Sequence, residues 1–129
     1  MGGIYAVCLV TMADCAMITL PIRTVYLDAI ARGDKTIEGR LDGARFAGLS
    51  AGDRIVFEAV DAMPASRLVC LLRAIRRYPD FDAMLRAEGL SSALPGVCSL
   101  SEGVSVYRSF PGYDRDRQRG VVALEVQPF

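Results

Sequence analysis

Apolar positions recur along this chain with two different periods, and the points where the period changes mark its elements. Met17 to Leu20 fits a short strand that Pro21 ends. Tyr26, Ala29 and Ile30 then recur at helical spacing, with Thr24 placed to cap the helix and Leu27, Ile30 and Ala31 closing it. Gly33 stands where a left-handed C-terminal cap is expected. From Lys35 to Leu41 the period becomes two, so Ile37, Gly39 and Leu41 can face a core while Thr36, Glu38 and Arg40 share the opposite face.

The rest of the chain reads in the same way. Asp42-Gly43 predicts a turn, followed by a loop of small and polar residues through Gly48 to Asp53. Ile55 to Val60 and Leu68 to Ile75 are β-prone runs separated by a turn around Pro64, the pattern of two adjacent antiparallel strands. Arg73, Arg76 and Arg77 close the second run as solvated charge or, in a functional reading, as phosphate contacts. Asp80 can cap a short helix carrying Phe81, Met84 and Leu85 and ended by Gly89, and Leu94-Pro95-Gly96 is a turn. Ser99-Leu100-Ser101-Glu102 has the spacing of a capping box for a helix through Tyr107, which makes Glu102 a cap rather than a catalyst. Pro111-Gly112 stops that helix, Tyr113 to Arg119 is a charged loop, and Gly120 to Val126 is a closing strand.

Only the first residues resist this reading. Ile4 to Met12 is apolar on both faces and fits a buried strand or an irregular extension, and it is too short to span a bilayer. The expected organisation is therefore an N-terminal extension or extra strand over 1–16 and a single α+β domain over 17–129. No basic leader precedes the apolar run, and residue 6 is Ala where a myristoylation signal needs Ser or Thr.

Composition narrows the chemistry. Fifteen basic and fifteen acidic side chains in 129 residues cancel, which excludes a broadly basic nucleic-acid coat and makes any such site local. Positive charge is weakly concentrated between Arg23 and Arg77. The four cysteines include no Cys-x-x-Cys pair and the chain has no histidine, so no metal or cofactor is expected. Reduced, buried cysteines point to the cytoplasm. Without histidine, proton transfer would fall to Lys, Glu, Asp or Thr. Lys35 is the only lysine beside fourteen arginines, and an ammonium, unlike a guanidinium, can lose its proton on burial.

The stretch Gly33-Asp34-Lys35-Thr36-Ile37-Glu38-Gly39-Arg40 resembles the Gly-x-Lys-x-x-Glu-x-Arg motif of the ASCH domain family. The helix before it, Gly52 to Phe57 after it, and a second half running through Gly120-Val121-Val122-Ala123 resemble the long form of that domain in order, covering about Met17 to Val126. The resemblance implies a PUA-like fold, a small mixed β-barrel with flanking helices, and a motif-lined cleft that takes RNA, a nucleoside or a nucleotide. Lys35 and Arg40 would hold phosphate or carbonyl oxygens, with Thr36 on the same wall. Glu38 would accept from a base or fix Arg40, and Tyr113, in its arginine-rich loop, is the stacking candidate. Some small members hydrolyse the amide of N4-acetylcytidine with a lysine base and a threonine three residues later. Here Glu38 holds that threonine's position, so only an altered hydrolase or nuclease using Lys35 and Glu38 would follow. A protein-interaction role for an N-terminal strand that joins a partner's sheet is the third possibility.

Overall fold

The computed structural model describes residues 16–129, and the expectation for the N-terminal stretch lies, but for Ala16, outside them. Five strands, β1 (Met17–Ile22), β2 (Ile37–Leu41), β3 (Arg54–Ala59), β4 (Arg67–Tyr78) and β5 (Val121–Pro128), form one mixed sheet in the order β1-β3-β4-β5-β2. β1 runs parallel to β3 and every other neighbouring pair is antiparallel. The sheet curls into a half-barrel whose edge strands among the described residues, β1 and β2, lie on either side of a seam. The expected PUA-like α+β architecture is the one observed.

β5 organises the interior because both of its faces are covered. Val122, Leu124 and Val126 point into the barrel with Leu20, Ile55, Phe57 and Leu72, while Val121 and Ala123 meet a helical layer. That layer consists of α2 (Phe81–Glu88), α3 (Leu90–Ala93) and α4 (Leu100–Arg108), with Phe81 and Tyr107 stacked at 4.0 Å. The alternating residues of β2 divide in the same way. Ile37 enters the helical layer, and Gly39 lets the Met84 side chain and the Tyr107 hydroxyl approach the strand. The opposite face of β2 is the one that carries Glu38 and Arg40.

α1 (Thr24–Arg32) links the two edge strands and buries Leu27, Ala29 and Ile30. Its start departs from expectation. Thr24 lies inside the helix and Arg23 is the N-cap without a side-chain bond. The capping acceptor is Asp61, from the β3–β4 turn, which takes the Thr24 N–H and hydroxyl at 2.7 Å each. Gly33, at φ 85°, ends the helix as its position predicts.

Other differences also follow from tertiary contacts. β4 continues past Ile75 to Tyr78 because a bulge at Arg73 resets its register with β5. Arg76 and Arg77 are neither simply solvated nor open to phosphate. Arg76 is clasped by Glu88 and Glu125, and Arg77 pairs with Asp42. The expected charged loop is a short helix, α5 (Tyr113–Asp116), continued by a 3-10 turn over Arg117–Arg119. Ser99 and Asp80 cap their helices as read, with Ser99 accepting from Glu102 N–H at 3.2 Å.

Gly120 leads into β5 at φ 79°, and a Cβ there would meet the Tyr78 carbonyl oxygen at 2.8 Å. Both the dihedral and the contact involve rigid backbone. Gly120→Ala is expected to lower unfolding stability by about 2 kcal/mol or more, measured by urea denaturation.

Candidate functional site

The short turn after Gly33 drops Lys35 into the interior, where it is 2% exposed. A buried ammonium needs acceptors for its three protons. It has them in the Ile37 carbonyl at 2.7 Å, the Ala93 carbonyl at the end of α3, and Glu38 Oε1 at 3.1 Å. Its Nζ also lies 5.4 Å from the Tyr26 ring centre. On the other side of the carboxylate, Glu38 Oε2 accepts from Arg40 Nε at 2.8 Å and lies 2.7 Å from its terminal nitrogen. That nitrogen donates onward to the Pro21 carbonyl of β1 at 2.6 Å.

Burial alone would push the Glu38 carboxyl up. The charges of Lys35 and Arg40, and the bonds from both, overcome that and hold it below its ordinary value. Burial pulls Lys35 down, with Glu38 opposing it and Arg40 adding slightly to the fall. Glu38 is therefore an ionised anchor and a poor proton donor.

Glu38 and Arg40 form part of the wall of a cleft of about 790 Å³ at the seam. Five arginines reach it: Arg23, Arg40, Arg45, Arg115 and Arg119. The facing carboxylates are Glu38, Asp42 and Asp116. Each is already engaged: Glu38 in the trio, Asp42 with Arg77, and Asp116 with Arg115 at 2.9 Å and Arg119 at 3.9 Å. Among the described residues, Arg23 and Arg45 have no ion-pair partner. Burial, and to a lesser degree the like charge of Arg40, pull the Arg45 guanidinium below its ordinary value. Tyr26 and Phe110 add aromatic surface to this cleft.

The sequence-predicted residues are thus only partly brought together. Lys35, Glu38 and Arg40 form one constellation, with Lys35 behind the wall. Thr36 is exposed and lines a separate cavity of about 510 Å³ with Lys35, Arg73, Glu88 and Gln127. Tyr113 packs in the helical layer with its ring 6.4 Å from Phe81, away from the cleft lining. Arg45, Tyr26 and Phe110 also line the cleft, without having been put forward from the sequence as site residues. Tyr26 shares the helical spacing of core positions, and Arg45 stands in a loop without periodicity, so neither carries a local signal. Among the described residues no cluster of metal-ligating side chains occurs, and no helix is long and apolar enough to cross a membrane.

A half-barrel with an arginine-lined seam is the class of domain that this fold and cleft define. The profile of the ASCH domain matches residues 20–129, and the chain belongs to that family, which is generally thought to bind RNA. The hypothetical protein PH0355 is similar in structure, with 37% identity and a TM-score of 0.78 over 88% of this chain and 100% of that one. Protein PF0455 from Pyrococcus furiosus shows 36% identity and a TM-score of 0.69 over 88% and 98%. ASCH from Zymomonas mobilis shares the fold at 19% identity, with a TM-score of 0.60 over 87% and 69%. No curated protein matches the chain.

Removing one member of the buried trio leaves its partner's charge uncompensated. Glu38→Gln is expected to cost about 3–5 kcal/mol at neutral pH. Because the folded Glu38 value is depressed, its contribution is full above the unfolded carboxylate range and is lost as pH falls through the folded value. Urea unfolding across a pH series should therefore show the gap between wild type and Glu38→Gln closing toward acid.

Proposed function

We propose that the seam cleft binds RNA or a nucleotide, holding phosphate between Arg40 and Arg45 and stacking a base on Tyr26 or Phe110. The observation that carries this reading is that Arg40 and Arg45 line the same cleft, while Arg45 has no carboxylate partner among the described residues. Two like charges held together in the free protein favour an anion between them. The Lys35–Glu38 pair acts from behind, fixing the Arg40 guanidinium so that its remaining donors face the cleft without rotamer search. Thr36 and Tyr113 are not needed for this site.

Binding is preferred to the hydrolase or nuclease alternative because of how Lys35 and Glu38 are held. All three bonds that the Lys35 ammonium can donate are filled by protein acceptors, and Glu38 is stabilised as an anion. Neither group is poised to exchange a proton with substrate. N4-acetylcytidine incubated with the protein should be recovered unchanged by chromatography. Turnover abolished by Lys35→Ala would make the protein an enzyme.

The binding reading predicts salt-sensitive retention of short single-stranded RNA. Arg45→Ala should weaken it and reduce the slope of log K against log salt by about 0.7, the value for one lost phosphate contact on a single strand. Stability should barely change, since Arg45 is solvent-facing. Fluorescence anisotropy at several salt concentrations decides the matter, and an unchanged slope would remove Arg45 from the site.

A further inference from the structure

The helical layer covers the outside of the half-barrel along β5 and β2. Among the described residues no helix packs on the outer face of β1, β3 and the first half of β4, because the buried helical residues belong either to the barrel interior or to that layer. The pleat shows which side chains this face carries. Leu20 and Ile22 point into the barrel, so Met17, Thr19 and Pro21 point out. Strand register places Met17 beside Arg54 and Leu71, and Thr19 beside Val56 and Val69. Phe129 joins the same face: its N–H donates to the Val69 carbonyl at 3.3 Å, and the Arg54 guanidinium lies 5.2 Å from its ring centre.

Val56 marks the middle of this surface. It is 7% exposed yet belongs to neither core, so its neighbours on the outer face are what shield it. Those neighbours are themselves open, with Met17 67%, Val69 40% and Phe129 73% exposed. Single exposed apolar side chains are ordinary, whereas a contiguous group around a buried valine marks a surface that another segment covers. The charges beside it are already satisfied. Arg54 stacks on Phe129, and Glu58 pairs with Arg67 at 2.8 Å. None of the apolar residues of the face lines the seam cleft, so this surface is separate from the arginine site.

Continuity and chemistry identify the cover. At the head of β1, Ala16 N–H donates to Asp53, and the Ala16 carbonyl accepts from Arg54 N–H, which anchors the chain where it enters the face at Met17. Only residues 13–16 separate that point from the run Ile4 to Met12. This run holds no charged side chain. Laid on a face whose charges are paired among themselves, it buries no charge without a partner. A short tether also maintains it at about millimolar effective concentration, so at equal intrinsic affinity it outcompetes a second copy at micromolar concentration by about a thousandfold.

We propose that residues 4–12 dock on the outer face of β1, β3 and β4 of their own chain, with Val69 and Phe129 among the side chains they cover. The segment then closes an apolar surface that would otherwise be open to other chains.

Cys8, in the middle of the run, reports on this docking. In the full chain carrying Cys15→Ser and Cys98→Ser, the one other thiol is Cys70, which is fully buried. A maleimide should label Cys8 there about tenfold or more slowly than in a free peptide of residues 1–15 carrying Cys15→Ser. Val69→Asp sets a charge against the docked segment and should restore the peptide rate. Phe129→Ser, at the end of the chain and in neither core, should raise the rate whether or not Val69→Asp folds. Val25→Asp, exposed on α1 and away from this face, should leave the protection intact. A Cys8 rate equal to that of the peptide overturns the proposal. Protection that disappears on about a hundredfold dilution assigns the face to a second copy, and protection that survives both Val69→Asp and Phe129→Ser puts the segment elsewhere. Either of these results overturns the proposal as well.

Discussion

The structure depends on a carboxylate that cannot be solvated. Glu38 is 7% exposed, and only the cations on either side make that tenable. Once there, it fixes more than itself. Lys35 ties β2 to the last turn of α3 through Ala93, and Arg40 ties β2 to β1 through Pro21. Three bonded units that share no main-chain ladder meet at one side chain. Replacing such an ion cluster by apolar residues can leave stability unchanged, so stability by itself does not explain why the cluster is ionic. Its value lies in position, because a guanidinium held by a buried anion presents its donors at a fixed place in the cleft.

The open seam is the second consequence. A sheet closes into a barrel when its edge strands can bond, and here the edges are joined instead by the Arg40 side chain and by α1. Exposed sheet edges invite pairing with other chains, and this one is defended by Pro21 and by the Ser92 and Lys35 contacts at the ends of the gap.

Much of this was legible locally. Gly33, the period-two run through Leu41, the Ser99–Glu102 cap and the β5 run are short-range patterns, and the structure realises them. The motif puts Lys35, Glu38 and Arg40 close in sequence, and the structure joins them through ion pairs. What it could not convey is burial. Alternation assigns Glu38 to a face without saying that the curled sheet and α1 will cover it. The other departures have the same origin. Asp61 caps a helix from 37 residues away, the Arg73 bulge exists only against β5, and Arg45 comes to line the same cleft as Arg40 only through the tertiary fold. The lone lysine is explained afterwards. Its pocket offers three acceptors around one point, which suits a compact ammonium, whereas a planar guanidinium would bring five donors into a space that could not satisfy them.

The charge balance leads to the same conclusion from another direction. A chain with no net charge attracts no polyanion at long range, so any affinity must come from local asymmetry. Five arginines face three carboxylates at the cleft, and Asp116 engages two of those arginines from its own segment. On the proposed reading, Arg45 and Arg40 are the groups a phosphate entering the cleft would meet, within the roughly 8–10 Å that a charge reaches at ordinary ionic strength. Farther out the field is neutral, which disfavours sliding along arbitrary nucleic acid and places the burden of selection on contacts inside the seam. On the proposed reading, a cleft of that kind discriminates by what can enter it.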